Sequence, residues 1–483
     1  MSKKSLTKNY IYNLIYQVLT LVLPLITTPY LSRVLGATPI GIYSYTYSIV
    51  SYFLLFGALG VGLYGQREIA YVSDDKKKRK KIFWEIAICR IITMSIAIII
   101  YYFFLMRIGE YKIYYRIWLM ELIAMAFDIS WFFQGMEEFK KTVIRNVVVR
   151  VISVTLIFVL VKKPEDLIKY ITIYAIADLV GNLSLWLYLP KYFKGIKIEK
   201  IRTFSHLHPI ILLFIPQIAN QVYNLLDKTM IGKMIIDKSE VGFYEQGQKV
   251  IRVLLTLVTS LGIVMIPRMA STFASGDKEK IVDYMKKSFK FVFFLAFPIV
   301  LGLISVAKSF VPLFFGDGYD KVVTLLIVIS PTIILTGMAN VIGTQYLLPT
   351  KRQKEYTITI TLGLIVNFVL NYILISLYKS VGASIATVVS ELIVVIAQLY
   401  VIRKDIKTIE IIRTSYTYVL ASTVMFGTTL IAKAILGIGL KSIIIQVITG
   451  VIVYVLMLWI LKDEFLELFI DKGKAIIGRK KWN

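Results

Sequence analysis

Residues 210–236 read IILLFIPQIANQVYNLLDKTMIGKMII, an apolar run long enough to span a bilayer that nevertheless contains Pro216, Gln217, Asn220, Gln221, Asn224, Asp227 and Lys228. A charge at the centre of a membrane helix costs roughly 2.5–3.5 kcal/mol on insertion scales, so these side chains are expected to face the protein interior or a cavity. Adjacent residues on a helix point about 100° apart, so Asp227 and Lys228 do not neutralise each other directly. Each looks to another helix, and a structural interhelical ion pair is the plainer role for them. Pro216 removes a backbone hydrogen bond and offers a kink. A polar, kinked membrane helix is the expected wall of a transport path.

The rest of the chain fits that reading. Of its 483 residues, 57% are hydrophobic and 18% charged, against about 25% charged in soluble domains. The chain reads as an all-α polytopic integral membrane protein. Apolar runs recur at about 11–35, 42–64, 82–106, 117–134, 143–161, 168–189, 210–236, 243–267, 289–314, 322–348, 357–377, 383–402, 416–436 and 443–461. That gives about 14 transmembrane helices. The alternate segments that include the two termini carry 36 Lys and Arg, and the opposite loops carry 10. Positive loops stay inside, so both termini are expected in the cytoplasm. The net charge of +26 is spread over these short loops, which disfavours nucleic acid as a partner.

Lys3, Lys4 and Lys8 precede an apolar run longer than a signal-peptide core, which is expected to remain as the first helix. Lys76-Lys77-Lys78-Arg79-Lys80-Lys81 reads as an orientation signal ahead of a lipid-binding patch. In the tail, Phe465, Leu468 and Phe469 fall on one helical face with Lys474, Arg479, Lys480 and Lys481 beyond, a pattern suited to a surface-lying anchor. The chain has one cysteine, Cys89, so no intramolecular disulfide or cysteine metal site is expected.

An internal echo links the halves. Ile40-Gly41-Ile42-Tyr43 and Arg67 recur 201 residues later as Val241-Gly242-Phe243-Tyr244 and Arg268. The helix before each carries interior prolines, Pro24 and Pro29 in one case and Pro216 in the other, which are candidate hinges. Enzyme motifs fail. Gly60-Val61-Gly62-Leu63-Tyr64-Gly65 matches GxGxxG but ends a membrane run, so close helix packing explains it better. His206 and His208 lie on a loop without a carboxylate cluster nearby in sequence, and neither a metal nor a cofactor is expected.

What remains is a set of ionisable groups on different spans: Arg33, Arg90, Glu121, Asp128, Arg150, Asp178, Asp227, Lys228, Arg252 and Glu391. Converging on one cavity, they would offer cations to a phosphate or acidic sugar and carboxylates for ion coupling. Asp178 and Glu391 read as structural pairs.

Leu31-Ser32-Arg33-Val34-Leu35-Gly36, Gly41-Ile42-Tyr43-Ser44, the run from Asp128-Ile129-Ser130-Trp131 to Glu137, Asp227-Lys228-Thr229-Met230-Ile231-Gly232, and Gly382-Ala383-Ser384-Ile385-Ala386-Thr387 with Glu391 resemble the bacterial polysaccharide repeat-unit flippases of O-antigen and capsule type. These belong to the multidrug/oligosaccharidyl-lipid/polysaccharide exporter superfamily. The resemblance implies two pseudo-symmetric six-helix bundles, 1–205 and 206–410, with two extra helices and the tail in 411–483. It also implies alternating access for an undecaprenyl-diphosphate-linked oligosaccharide, moved from the inner to the outer leaflet of the cytoplasmic membrane.

On that reading Arg33, Lys228, Arg252, Asn224 and Gln221 bind substrate. Asp128, Asp227 and Glu391 couple an ion or form structural pairs. Pro24, Pro29 and Pro216 are hinges. Membrane lipid and, transiently, a polysaccharide polymerase and assembly enzymes are the expected partners. A multidrug or cation antiporter of the same superfamily is the main alternative, and a membrane-embedded polymerase is disfavoured by the short external loops.

Overall fold

In a computed structural model, residues 19–20, 22–107, 110–195 and 201–467 are described. Lys3, Lys4, Lys8 and the anchor residues Leu468, Phe469, Lys474, Arg479, Lys480 and Lys481 lie outside them, as do the side chains of Pro216, Gln217 and Asn220. Among the described residues there is no strand. The helices are α1 (Val22–Leu35), α2 (Ala37–Ala58), α3 (Val61–Tyr71), α4 (Lys76–Tyr101), α5 (Lys112–Ala126), α6 (Ser130–Gly135), α7 (Phe139–Leu160), α8 (Leu167–Trp186) and α9 (Pro190–Phe193). They continue with α10 (Leu207–Met234), α11 (Ser239–Thr259), α12 (Gly262–Ala274), α13 (Lys278–Phe315), α14 (Asp320–Ile329), α15 (Thr332–Ala339), α16 (Gln353–Ile402), α17 (Thr408–Leu436) and α18 (Leu440–Ile460).

Ten helices among the described residues are long and apolar enough to cross a membrane, or eleven if α11 and α12, bent by 41° at their junction, form one span. A straight helix of 50 residues such as α16 would be about 75 Å long, far beyond a hydrocarbon core of about 30 Å. It is not straight. Lys379 takes a left-handed φ of 55°, and a β-carbon on Gly382 would lie 2.0 Å from the Leu374 carbonyl oxygen. Further down, Gly363 faces Val394. The chain therefore turns back on itself, and the two arms are the runs expected at 357–377 and 383–402. The expected apolar runs lie largely on helices where they are described, with breaks at residues 59–60, 127–129, 260–261 and 330–331.

Helix ends follow local chemistry. Asp75 caps α4, its Oδ1 accepting from the backbone of Lys77 at 3.0 Å and Lys78 at 3.1 Å. This acceptor offsets the repulsion between a positive helix end and the six basic residues that open it. Those backbone hydrogen bonds, led by that of Lys78, hold the Asp75 carboxyl below its usual range. Between α2 and α3, Leu59 and Gly60 both have positive φ. In the GxGxxG stretch, a β-carbon on Gly65 would sit 2.5 Å from the Trp131 ring, whereas Gly62 faces open space. Gly65 thus brings α3 against α6, which is the helix-packing role expected of the motif.

The chain divides into two compact units, residues 1–242 and 243–483. In the first, Trp118, Tyr101 and Leu122 centre one apolar cluster, and Phe83, Trp131, Phe132 and Phe133 another. Helix α10 belongs to this unit because it packs on α2. A β-carbon on Gly232 would lie 2.0 Å from the Tyr45 ring, and Thr229 donates to Ser48 at 3.0 Å. In the second unit the α17–α18 pair packs on α13, where Tyr454 donates to the Phe294 carbonyl at 2.8 Å and Lys433 to that of Ser305 at 3.1 Å.

Candidate substrate-binding site

Gln221, Asn224 and Lys228 recur at helical spacing and share one stripe of α10, where Gln221 and Asn224 are exposed and Lys228 is half-buried. Asp227, three residues after Asn224, is buried. Thr229 and Gly232, through their contacts on α2, fix the rotation of the helix that presents the stripe. The helix is continuous past position 216. Arg33 is exposed near the end of α1, its Nη1 3.5 Å from the Pro29 carbonyl oxygen.

Carboxylates within the first unit meet arginines. Asp128 Oδ2 accepts from Arg90 Nη2 at 3.2 Å, and Arg90 Nε donates to the Met125 carbonyl at 2.8 Å. Arg90 is fully enclosed, so Asp128 provides the charge that lets a guanidinium stay there. Asp178 lies 4.0 Å from Arg150. Arg145 donates to Asn182 Oδ1 at 3.0 Å, and Asn182 passes a bond on to the Ala124 carbonyl at 2.8 Å.

A cavity of about 280 Å³ opens between α1, α7 and α8, lined by Thr20, Pro24, Thr27, Asn146, Arg150 and Tyr174 with several aliphatic side chains. Arg150 lies over the Tyr174 ring at 5.6 Å. A planar cation at the wall of a largely apolar space is suited to phosphate or carboxylate. Arg150 stood among the ionisable span residues but not among the expected substrate ligands. Its partner Asp178 and the cavity residues of α1 come from distant parts of the chain, so no local pattern marked it.

In the second unit, Arg252 donates to Glu245 Oε1 at 2.8 Å while keeping half its side chain exposed. It is therefore an ion-paired cation with a free face. Its polar surroundings continue in Gln248, which donates to Tyr244 at 2.8 Å, and in Thr387, 3.3 Å from the Tyr244 hydroxyl. Asn371 donates to Asn367 at 3.0 Å within a buried stretch of α16. Glu391 is half-buried on the other arm of that helix.

At the junction of α6 and α7, Glu138 pairs with Lys141 and accepts from the Tyr192 hydroxyl. Burial works against its charge, yet the hydrogen bonds from Lys141 and Tyr192 hold its carboxyl below the usual range.

The polysaccharide biosynthesis protein family profile matches residues 6–273, more than half of the chain. The chain belongs to the polysaccharide biosynthesis protein family. The MatE profile matches residues 213–373. Over 412 residues the chain is 28% identical to the "Putative O-antigen transporter" of Escherichia coli (strain K12), covering 84% of this chain and 98% of that one. It is 23% identical over 258 residues to the lipid II flippase MurJ of Bacillus subtilis (strain 168), covering 51% of this chain and 45% of that one. Among solved structures, lipid II flippase MurJ in an inward closed conformation superposes with a TM-score of 0.75 at 16% identity, over 95% of this chain and all of that one. An inward-facing multidrug resistance MATE transporter of the MOP superfamily superposes at 0.62 with 13% identity, over 81% of this chain and 95% of that one. The fold of this family member is thus the one shared across that superfamily.

Proposed function

We propose that this member of the family is a flippase that moves undecaprenyl-diphosphate-linked polysaccharide repeat units from the inner to the outer leaflet of a bacterial cytoplasmic membrane. The match to a putative O-antigen transporter carries this reading, since it extends over 84% of this chain and 98% of that one. The cationic and amide stripe of α10 and the arginine-walled cavity supply chemistry suited to a diphosphate and its sugars. The chain crosses the membrane fourteen times with both termini in the cytoplasm. It works by alternating access of two six-helix bundles, 1–205 and 206–410, with the two extra helices and tail of 411–483 beside them. Arg33, Gln221, Asn224, Lys228 and Arg252 meet the headgroup. Asp128, Asp227 and Glu391 couple an ion or hold structural pairs, and Pro24, Pro29 and Pro216 allow bending. No covalent chemistry is assigned to the chain. Contacts with the assembly enzymes and the polymerase are transient.

The test is translocation in proteoliposomes of a fluorescent lipid-diphosphate oligosaccharide, measured beside efflux of a small organic cation. Glycolipid movement without cation efflux is the expected result. Cation efflux without glycolipid movement would replace this reading with a multidrug antiporter.

A further inference from the structure

Tyr64, Glu85 and His206 form a hydrogen-bonded chain within the first unit that the transport reading leaves unused. The Tyr64 hydroxyl lies 2.7 Å from His206 Nδ1, and His206 Nε2 lies 3.0 Å from Glu85 Oε2. The other carboxylate oxygen, Oε1, accepts from the backbone N–H of Arg202 at 2.7 Å. All three side chains are buried, at 4%, 4% and 9% exposure for Tyr64, Glu85 and His206. They come from three places: α3, α4 and the turn Thr203–His206 that leads directly into α10.

We infer that this chain is a proton-operated latch that holds the start of α10 against α3 and α4. The argument rests on charge and hydrogen-bond inventory. A tyrosine hydroxyl can donate to a neutral imidazole nitrogen or accept from a protonated one, so the connections are kept in both states of His206. What changes is the charge. With an imidazolium beside the carboxylate the buried group is neutral overall, and with a neutral imidazole it holds one uncompensated negative charge, which burial disfavours.

The charged and titratable neighbours come from α3, α4, the 201–206 segment and α10. From α3, Arg67 stands 5.3 Å over the Tyr64 ring, and its guanidinium is bonded to Glu68 at 2.9 Å. From α4 they are Lys81, one turn before Glu85, and the buried Cys89 thiol one turn after it. From the 201–206 segment it is Arg202, which is exposed. From α10 it is His208, which is exposed. Loss of the proton therefore loosens the 201–206 segment, and with it the anchor of the helix that carries Gln221, Asn224 and Lys228.

Hydrogen–deuterium exchange of the full-length protein in nanodiscs tests this without any transport assay. Between about pH 6 and pH 8, the range over which imidazole ordinarily changes charge, protection of the peptide covering 201–208 should fall at least tenfold beyond the intrinsic rate change. Glu85→Gln removes the charge while keeping the shape, and should make that protection independent of pH. Tyr64→Phe should lower protection at both pH values and keep the pH dependence. The chain has two histidines, so NMR of labelled histidine resolves His206 from the exposed His208. Glu85→Gln should shift the ring signals of the first and leave those of the second unchanged, a readout that holds even where a variant is less stable. Protection in the wild type that does not vary with pH, or His206 ring signals indifferent to Glu85→Gln, would overturn the latch.

Discussion

Gly41 and Gly242 pack against each other reciprocally: a β-carbon on Gly41 would lie 1.7 Å from the Lys238 carbonyl oxygen, and one on Gly242 would lie 2.1 Å from that of Ala37. Each glycine meets the carbonyl four residues before the other. The two positions are also the paired glycines of the repeat at an offset of 201. Backbone meets backbone here, and no side chain fits between. Gly41→Val and Gly242→Val should each destabilise the protein by about 1–3 kcal/mol through overpacking. The double variant should lose less than the sum, because both intrude on one contact. Gly62→Val, with open space around it, should lie within about 0.5 kcal/mol of wild type. Thermal unfolding in detergent, read by tryptophan fluorescence, compares the four variants with wild type.

The Arg90–Asp128 pair makes a second prediction. Removing one partner strands the other inside the bundle, so Arg90→Met should destabilise by about 3–5 kcal/mol and lower the amount of folded protein. Arg90→Met combined with Asp128→Leu removes both charges and should recover most of that loss. Membrane abundance and unfolding temperature of the single and double variants measure the recovery, and equal loss in both would argue against the pair.

Acid sensitivity should be traceable in part to Glu138. Its carboxyl is held low in the folded protein, so its contribution is present above the ordinary carboxylate value of about 4.3 and is lost as pH falls through the lowered one. Glu138→Gln should therefore be less stable than wild type near neutral pH, with the difference closing as the solution becomes acidic. Unfolding temperatures across a pH series give the comparison directly.

The sequence was most legible where physics acts locally. Hydropathy placed the helical runs, and the polar residues of 210–236 marked α10 because membrane-length helices rarely carry such groups without a reason. Even the fold-back in α16 had a signal, since Ser380 and Gly382 interrupt two runs that together exceed any bilayer. Partnerships across the fold were not legible. His206 was read as lacking a cysteine or carboxylate cluster close by, and its contact with the single carboxylate of Glu85, 121 residues earlier, had no sequence signal. Arg252 was read as a substrate ligand with no partner named, and Glu245, two turns earlier on α11, pairs with it. Nor could Arg150 be tied to a cavity, because its walls come from α1, α7 and α8. Such relations depend on which helices adjoin, and the apolar residues that decide adjacency are interchangeable in sequence.

Lys228 carries the central claim, because a diphosphate requires positive charge whatever sugar follows it. The most direct measurement is the leaflet distribution of lipid-linked repeat units in cells making Lys228→Ala, Lys228→Gln or Lys228→Arg at matched membrane abundance. The account predicts accumulation on the cytoplasmic leaflet for Ala and Gln and substantial rescue by Arg. Normal export by Lys228→Ala at wild-type abundance would contradict it, and restoration of export by adding Asp227→Asn would show that Lys228 only balances a carboxylate.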